Sequence, residues 1–480
     1  MIEPTRGGGG AGSDLGGVGG GGVTDSESEL PSTWLSLKLG DVLAYGKTEK
    51  AEPEEIAPET WVLELEDVEK DTTKVLQHLT FAERQSKSTK NKFNAGDVLY
   101  GKLRPYLNKV TFADRPGVCT TEIVPIKPNE AVHGRYLFHW LRHPAFLTYV
   151  TEVSHGVNMP RLGTDAGRDA PFVLAPKAEQ KRVADKLDTV LTRVDAVNTR
   201  LARVAPLLKR FRQSVLAAAT SGRLTEDWYE QNLDKSRAKF ALGDLVVSID
   251  QGWSPKCEAN AAPPDKWSVM KTTAIQALHF YPEENKELPY DLNPRPHLAL
   301  ADGDVLITRA GPRSRAGITC IVRGDQPMLM LCDKAYRVRV DRSKIHPQML
   351  NLLLNSPEVL DEIDGMKTGI SESGVNLTQA KFRELALSVP HIAEQTEIVR
   401  RVETLFAFAD RLEARLAQAQ AAATRLTPAL LAKAFRGELV PQDPNDEPAA
   451  ELLRRLQAQR ASAPKASAGR GRKAVVQSEG

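Results

Sequence analysis

Residues Glu179–Val215 read "EQKRVADKLDTVLTRVDAVNTRLARVAPLLKRFRQSV". Apolar side chains recur at Val183, Leu187, Val190, Val194, Val197, Leu201, Val204, Leu208, Phe211 and Val215, in steps that alternate four and three without a break. A period of about 3.5 residues held this long predicts a helix with a coiled-coil seam, not an ordinary amphipathic helix lying on its own domain. Charged residues such as Asp188 and Arg193 take outward positions. Such a seam needs a partner, and the chain supplies one. After Gln395 the pattern returns 215 residues on, at Ile398, Val402, Leu405, Ala409, Leu412, Leu416, Ala419, Ala423, Leu426 and Leu430, with Glu403 and Arg411 outward. The second seam is rich in Ala where the first carries Val and Leu. Large against small side chains interdigitate, so the two helices are predicted to pair with each other. Each would be about 60 Å long at 1.5 Å per residue. Pro206 and Pro428 fall late in the two helices and should kink each one or begin a new segment.

The helices close a longer repeat. Leu39-Gly40-Asp41-Val42 matches Leu242-Gly243-Asp244-Leu245, Gly96-Asp97-Val98-Leu99 matches Gly303-Asp304-Val305-Leu306, and Cys119 matches Cys332. Val157-Asn158 matches Val375-Asn376, "APKAEQ" ending at Gln180 matches "PHIAEQ" ending at Gln395, and Gly222-Arg223-Leu224 matches Gly437-Glu438-Leu439. The offsets run 203, 207, 213, 218, 215 and 215, so the middle drifts while the helical part holds one value. Variable loops on a fixed frame are where recognition usually sits. Ahead of each helix, short β-rich runs (Val62–Leu65, Val98–Tyr100, Glu122–Ile126; Val305–Thr308, Ile318–Val322, Tyr336–Val340) alternate with turn residues. One helical stretch is predicted in each half, Gly134–Thr148 and His346–Ile363. The fold class is therefore α+β: a tail over residues 1–30, a domain over 31–177, a helix over 178–224, a second domain over 225–391, a second helix over 392–440, and an extension over 441–480. Eleven glycines in the first 22 residues, and an Ala/Ser/Gly/Lys/Arg run from about Ser462 holding Arg470, Arg472 and Lys473, predict that both ends stay unfolded.

Hydrophobic content of 41% and charged content of 26% over 480 residues describe a globular protein of two or three domains. No apolar run is long enough to span a bilayer and no signal-peptide pattern opens the chain, so a cytoplasmic location without membrane contact is expected. Cys119, Cys257, Cys320 and Cys332 form no C-x-x-C pair, which speaks against zinc and disulfides. A net charge of only +2 is low for a small dedicated DNA-binding domain, unless partners share the phosphate contacts.

Two enzyme motifs nearly appear. Gly96–Leu103, "GDVLYGKL", is one residue short of the phosphate-cradling G-x-x-x-x-G-K-[ST]. Leu103 replaces the magnesium-binding hydroxyl, a β-like run lies inside the would-be loop, and the second copy lacks the Gly-Lys pair. Pro264-Asp265 with Glu284-Asn285-Lys286 resembles the metal-binding P-D…E-x-K pattern of nucleases, but prolines at 263, 264 and 282 make both halves turns. No [DN]-P-P-[YF] tetrapeptide of adenine methyltransferases is present. What "GKLRPYLNK" does offer is a polar cluster just after a strand, with Lys102, Arg104, Asn108 and Lys109 around Tyr106. Arg and Lys bond guanine or phosphate, and Asn bonds adenine bidentately. Arg309, Arg313 and Arg315 occupy the equivalent region of the second copy at a different spacing, which suits reading a different sequence. A solvated charged loop is the plain alternative.

With these fragments in this order, the chain resembles the specificity subunit of a type I restriction-modification enzyme over about residues 31–455. The carriers are "GDVLYGKLRPYLNKV", "GDVLITR", the two helix openings ending in Glu-Gln, "LKRFRQSVLAAATSGRLTEDW" (Leu208–Trp228) and "AFRGELVPQDPNDEPA" (Ala434–Ala449). The resemblance implies two target-recognition domains, each reading one half of a split DNA site. It implies an antiparallel two-helix coiled coil that holds them apart, and Asn158 and Asn376 as further DNA-binding candidates. It also implies an adaptor with no active site, metal or cofactor of its own. Two methyltransferase subunits would bring S-adenosylmethionine, and restriction/translocase subunits would bring ATP and Mg. The chain departs from the family pattern in its glycine-rich leader. It departs again at "HGVNMPRLG" (His155–Gly163), where the second half carries "TGISESGVNL" (Thr368–Leu377), nearer the usual loop. Two rival readings are a nuclease or NTPase using a near-miss motif, and a DNA-binding regulator without partners. The ends "SGRLTEDW" and "RGELVPQD" favour docking to another protein over the second.

Overall fold

In the computed structural model the described residues are 30–156, 158–231, 237–257, 260–369, 372 and 374–462. The leader over 1–29, Val157, and the segment with Arg470, Arg472 and Lys473 lie outside them. The protein is mixed α+β with long helices. It divides into two compact units, one made of residues up to Val197 together with those from Ala422, the other of Asn198–Ala421.

In the first unit, Val98–Gly101 is the middle strand of an antiparallel three-stranded sheet between Val110–Phe112 and Ile123–Ile126. A five-stranded sheet runs Lys50–Ala51, Lys90–Phe93, Gly117–Cys119, Trp61–Leu63, Leu79–Thr80, with one parallel pair, Trp61–Leu63 on Gly117–Cys119. Leu35–Lys38 pairs with Pro171–Leu174. The helical stretch expected over Gly134–Thr148 is two helices, Gly134–Trp140 and Pro144–Glu152. Pro144 causes the break: a residue before proline is forced out of helical geometry, and His143 sits at φ −67°, ψ 140°. The core gathers Tyr100, Tyr136, Leu137, Phe146 and Phe172 with Val183, Leu187 and Leu191 from one long helix and Leu431, Ala434 and Phe435 from the other. A C-terminal helix, Ala449–Ser462, adds Leu452 and Leu456 to that core, and its Arg460 donates to the carbonyls of Asp41 (2.7 Å) and Val42 (2.9 Å).

The second unit has its own version. Val305–Thr308 lies between Ala335–Val340 and Thr319–Ile321, with Val246–Gln251 beyond. A second sheet of four strands holds one parallel pair, Ser268–Met270 on Gln326–Met330. Ala238–Ala241 pairs with Ala386–Val389. The stretch expected over His346–Ile363 again splits, into Pro347–Leu354 and Pro357–Met366, because Ser356 precedes a proline and is extended at φ −70°, ψ 147°. Here the core takes Val215 and Leu216 from the helix Val204–Ser221 and Ile398 and Val402 from the helix Ile392–Phe435. Arg212 reaches across to Asp410 (2.5 Å) and Glu413 (2.6 Å) on that second helix.

The first long helix is Lys177–Ala202 followed by Val204–Ser221, and the second runs 44 residues, Ile392–Phe435. Pro206 falls in the first turn of the new segment, where a proline lacks no needed donor. Pro428 begins no new segment; the helix runs through it with one rung of its ladder missing. Val183, Leu187, Val194, Ile398, Val402 and Leu416 are buried, whereas Val190, Leu201, Leu405 and Leu412 are half-buried. Val197 and Leu426, expected on the seam, are 45% exposed. A helix covered along one stripe leaves its flanks wet. Cys119, Cys320 and Cys332 are buried free thiols, Cys257 is half-buried, and burial pushes the Cys332 thiol up to about 11.

What ties each helix to its domain is a buried glutamine. Gln180 accepts from the His133 N–H (2.8 Å) and donates to the carbonyls of Ala131 (2.9 Å) and Ala175 (2.8 Å). Gln395 accepts from the His346 N–H (2.8 Å) and donates to Lys344 (3.0 Å) and Pro390 (2.9 Å). Both are fully buried. Gln395→Ala would strand three backbone groups, and chemical unfolding should show a loss of about 3 kcal/mol or more. Gln395→Glu, which keeps the acceptor and loses the donors, should remain destabilised.

Candidate nucleic-acid interface

In the first unit the candidate loop leaves the buried strand Val98–Gly101 and turns through a short 3₁₀ segment, Pro105–Leu107. Both residues flanking that segment are left-handed, Arg104 at φ 51°, ψ 61° and Asn108 at φ 48°, ψ 47°. The left-handed region suits Asn and penalises Arg. The loop is clasped by the chain before the first long helix. The Arg104 N–H donates to Pro160 (2.7 Å), the Leu162 N–H to Lys102 (2.9 Å), and Leu103 bridges Arg161. Leu103 thus belongs to a backbone clasp, and the near-miss phosphate loop is a strand end, not a cradle.

Side chains then divide. Arg104 and Tyr106 are exposed, Tyr106 at 47%, and Lys102 is half-buried. Neither cation forms a side-chain hydrogen bond or ion pair among the described residues. Lys109 is committed inward, to the Leu65 carbonyl at 2.7 Å. The Asn108 amide oxygen is buried without a hydrogen-bond partner among the described residues. Asn158 is exposed.

The second unit repeats the clasp with different chemistry. Ala310–Gly311 pairs with Val375–Asn376, and the Leu377 N–H donates to Arg309 (2.7 Å). Its arginines are all engaged. Arg309 lies over the Tyr336 ring and donates to the Asp333 carbonyl (2.7 Å) and to the Asn376 side-chain oxygen (2.8 Å). Arg313 bonds Asp364 (2.6 Å). Lys367 hydrogen-bonds the same carboxylate (2.7 Å) and, with Arg313 beside it, holds it below its usual range. Arg315 donates to Gln276 (2.9 Å) and to the carbonyls of Thr272 and Ile275 (both 2.7 Å), clasping a neighbouring turn.

These hydrogen bonds correct one sequence equivalence. Leu162 to Lys102 corresponds to Leu377 to Arg309. The two-way pairing of Arg161 with His155 corresponds to that of Asn376 with Thr368. The counterpart of Asn376 is therefore Arg161, not Asn158, and Arg104 corresponds to Gly311. Arg161 was missed. The signal was in the sequence, since the fixed offset of 215 carried back from Gln180 already pairs Leu162 with Leu377. Arg161 itself is held by both oxygens of Glu122 (2.9 and 3.0 Å).

The nuclease-like residues do not converge. Glu284 accepts from Thr273 (2.7 Å), and Lys266 next to Asp265 bonds Glu287 (2.7 Å). Among the described residues no group of three His, Cys, Asp or Glu could hold a metal, and no helix is long and apolar enough to cross a membrane.

No protein-family model matches the chain. It is 32% identical over 373 residues to the EcoBI specificity subunit of a type I restriction enzyme from Escherichia coli, covering 72% of this chain and 75% of that one. The chain belongs to the type I restriction enzyme specificity subunits. With the EcoEI specificity subunit of Escherichia coli it shares 33% identity over 234 residues, 47% of this chain and 39% of that one. A solved chain from work on complex assembly in the type I R-M system has the same fold, with a TM-score of 0.66 over 85% of this chain and 99% of its own at 21% identity.

Within this specificity subunit the two loops should respond to substitution in opposite ways. Arg104→Gly relieves a left-handed arginine and should leave stability unchanged or raise it by about 1 kcal/mol. Arg315→Ala removes three hydrogen bonds of a half-buried guanidinium and should lower it by about 1–3 kcal/mol. Urea unfolding of the two variants compares them directly.

Proposed function

We propose that this chain is the non-catalytic DNA-recognition subunit of a type I restriction-modification complex in the cytoplasm. Residues 31–177 and 225–391 each read one half of a bipartite double-stranded site. The helices over 178–224 and 392–440 pair antiparallel, set the gap between the half-sites and dock two methyltransferase subunits. Restriction/translocase subunits complete the complex, and S-adenosylmethionine, ATP and Mg act on the partners. One observation carries this reading. The same backbone clasp presents Lys102-Leu103-Arg104 in one copy and Arg309-Ala310-Gly311 in the other, so one frame is fitted with two different sets of contact groups. Exposed Arg104 and Tyr106, with Lys102, are placed to meet bases or phosphate, and Asn158 lies in the segment that clasps them. Arg309 and Asn376 would act as a pre-set pair, with Arg313 held beside them. Asn108, Lys109 and Arg315 shape the loops. An enzyme reading finds less support, because Leu103 of the first near-miss belongs to the backbone clasp and Glu284 of the second is bonded to Thr273.

Two experiments test the reading on the chain co-expressed with its methyltransferase partner, using the methylated motif in host DNA as readout. Replacing residues 31–177 by the same domain of a relative should change one half-site and leave the other intact; a change in both refutes modular reading. Inserting one matched heptad in each long helix keeps the seam in register and adds about 10 Å, or about three base pairs. The recognised gap should lengthen, or binding should fail because the second half-site has rotated, while both half-site sequences stay the same. New half-site sequences with the old gap would show that the helices do not set it.

A further inference from the structure

We propose that residues 225–391 also hold a DNA backbone phosphate, in a lysine-lined cleft beside Arg309. The inference rests on the DNA-recognition reading above. The cleft, about 300 Å³, is lined by Lys271, Lys286 and Lys334 with Ser254 and Thr272. The three lysines come from three places: the end of the strand Ser268–Met270, the strand Asn285–Glu287, and the turn after Gln326–Met330. Lys286 and Lys334 are exposed, and neither ammonium has a side-chain hydrogen bond or ion pair among the described residues. Lys271 reaches Glu284 only at 3.8 Å. Among the described residues the one carboxylate on the wall is Asp333, engaged by the Ser254 hydroxyl at 2.5 Å. Converging ammonium groups repel one another, and a bound anion would relieve that repulsion.

The position of the cleft selects the anion. The wall turn at Asp333-Lys334 is also what holds Arg309, which donates its side chain to the Asp333 carbonyl (2.7 Å) and its N–H to the Lys334 carbonyl (2.9 Å). A duplex touching the Arg309 loop would bring its backbone past this turn. Phosphate contacts of this kind fix register and carry no sequence information. The first unit has no match at this point. By the same hydrogen bond, Lys102 N–H to Glu122 (2.9 Å), the counterpart of Lys334 is Glu122, which Arg161 neutralises. Lys286 is also the lysine of the P-D…E-x-K near-miss, and phosphate binding gives it a role without a metal.

The test uses the full chain in complex with its methyltransferase subunits, on a duplex carrying the methylated site and on a scrambled one. Binding is measured from 50 to 200 mM salt. For Lys286→Ala/Lys334→Ala the slope of log affinity against log salt should be shallower by about 1, and affinity should fall about 3- to 10-fold on both duplexes. The methylated sequence should not change. Lys334→Arg should keep the wild-type slope and Lys334→Glu should bind worse than alanine, which separates charge from folding. An unchanged slope and affinity in the double variant overturns the cleft while leaving the recognition reading intact. A changed base at one half-site overturns the phosphate role, and micromolar binding of inorganic phosphate to the complex without DNA overturns DNA as the source of the anion. A wild-type complex that does not prefer the methylated site overturns both.

Discussion

A glutamine amide offers one acceptor and two donors in a plane, and Gln180 and Gln395 use all three on the backbone of the domain that precedes each helix. Few other side chains could satisfy an N–H and two carbonyls at once without reaching water. The residue before each is a buried glutamate. Glu179 accepts from the Trp34 indole (2.8 Å) and Gln442, and Glu394 accepts from Thr225 (3.0 Å) and Arg237 (2.8 Å). Burial raises the Glu179 carboxyl above its ordinary value, against the opposing hydrogen bonds of Trp34 and Gln442. Together the two residues fix the rotation of the helix on its domain. The same offset of 215 already holds at Arg161 and Leu162, so the clasp and the start of each helix belong to one fixed frame.

The glutamates also show how each unit is closed. Both groups bonded to Glu394 come from the chain that follows the end of the first long helix, and one group bonded to Glu179 comes from the chain that follows the end of the second. Within each unit one long helix begins and the other ends. In the first unit Phe435 packs on Tyr136 and Trp140, both with ring centroids 4.9 Å apart. In the second, Val215 and Leu216 share a core with Ile398 and Val402. The helix ends are therefore core components. The helix Ala449–Ser462, inside the extension drawn over 441–480, supplies Leu452 and Leu456 to the first unit's core.

Periodicity made the long helices legible, because 3.5-residue spacing over ten positions has few other causes. The six strands named from the sequence lie within a residue or two of those observed, whereas others such as Lys90–Phe93, Val110–Phe112 and Gln326–Met330 were not named. The two helical stretches ahead of the seams were drawn as single helices although Pro144 and Pro357 stood inside them; apolar content outweighed a local steric rule that turned out to decide. The loop equivalence failed for a different reason. A shared Val-Asn dipeptide is a weaker guide than backbone hydrogen bonds, which follow the 215 offset. Least legible was the direction of each cation. Arg104, Arg309 and Arg315 are the same residue type in matching regions, yet one is exposed, one is paired with Asn376 and one clasps a turn. Tertiary partners such as Gln276 and Asp333 are distant in sequence, and no local pattern announces them.

That difference in commitment has a physical consequence for recognition. An arginine already bonded to Asn376 and the Asp333 carbonyl has lost its rotamer freedom before DNA arrives, so a contact made by Arg309 would cost little further entropy and would tolerate little misfit. Arg104, exposed and held on a left-handed backbone by the Pro160 clasp, is fixed at its root and free at its tip. It can reach more than one acceptor and gives up more freedom on doing so. The proposed two half-sites would then be read by unlike means from like frames, one by a rigid pair and one by a mobile side chain. Glycine at 311, where the first copy has Arg104, fits this division: the second frame needs no long side chain at that corner, because Arg309 and Asn376 already meet beside it.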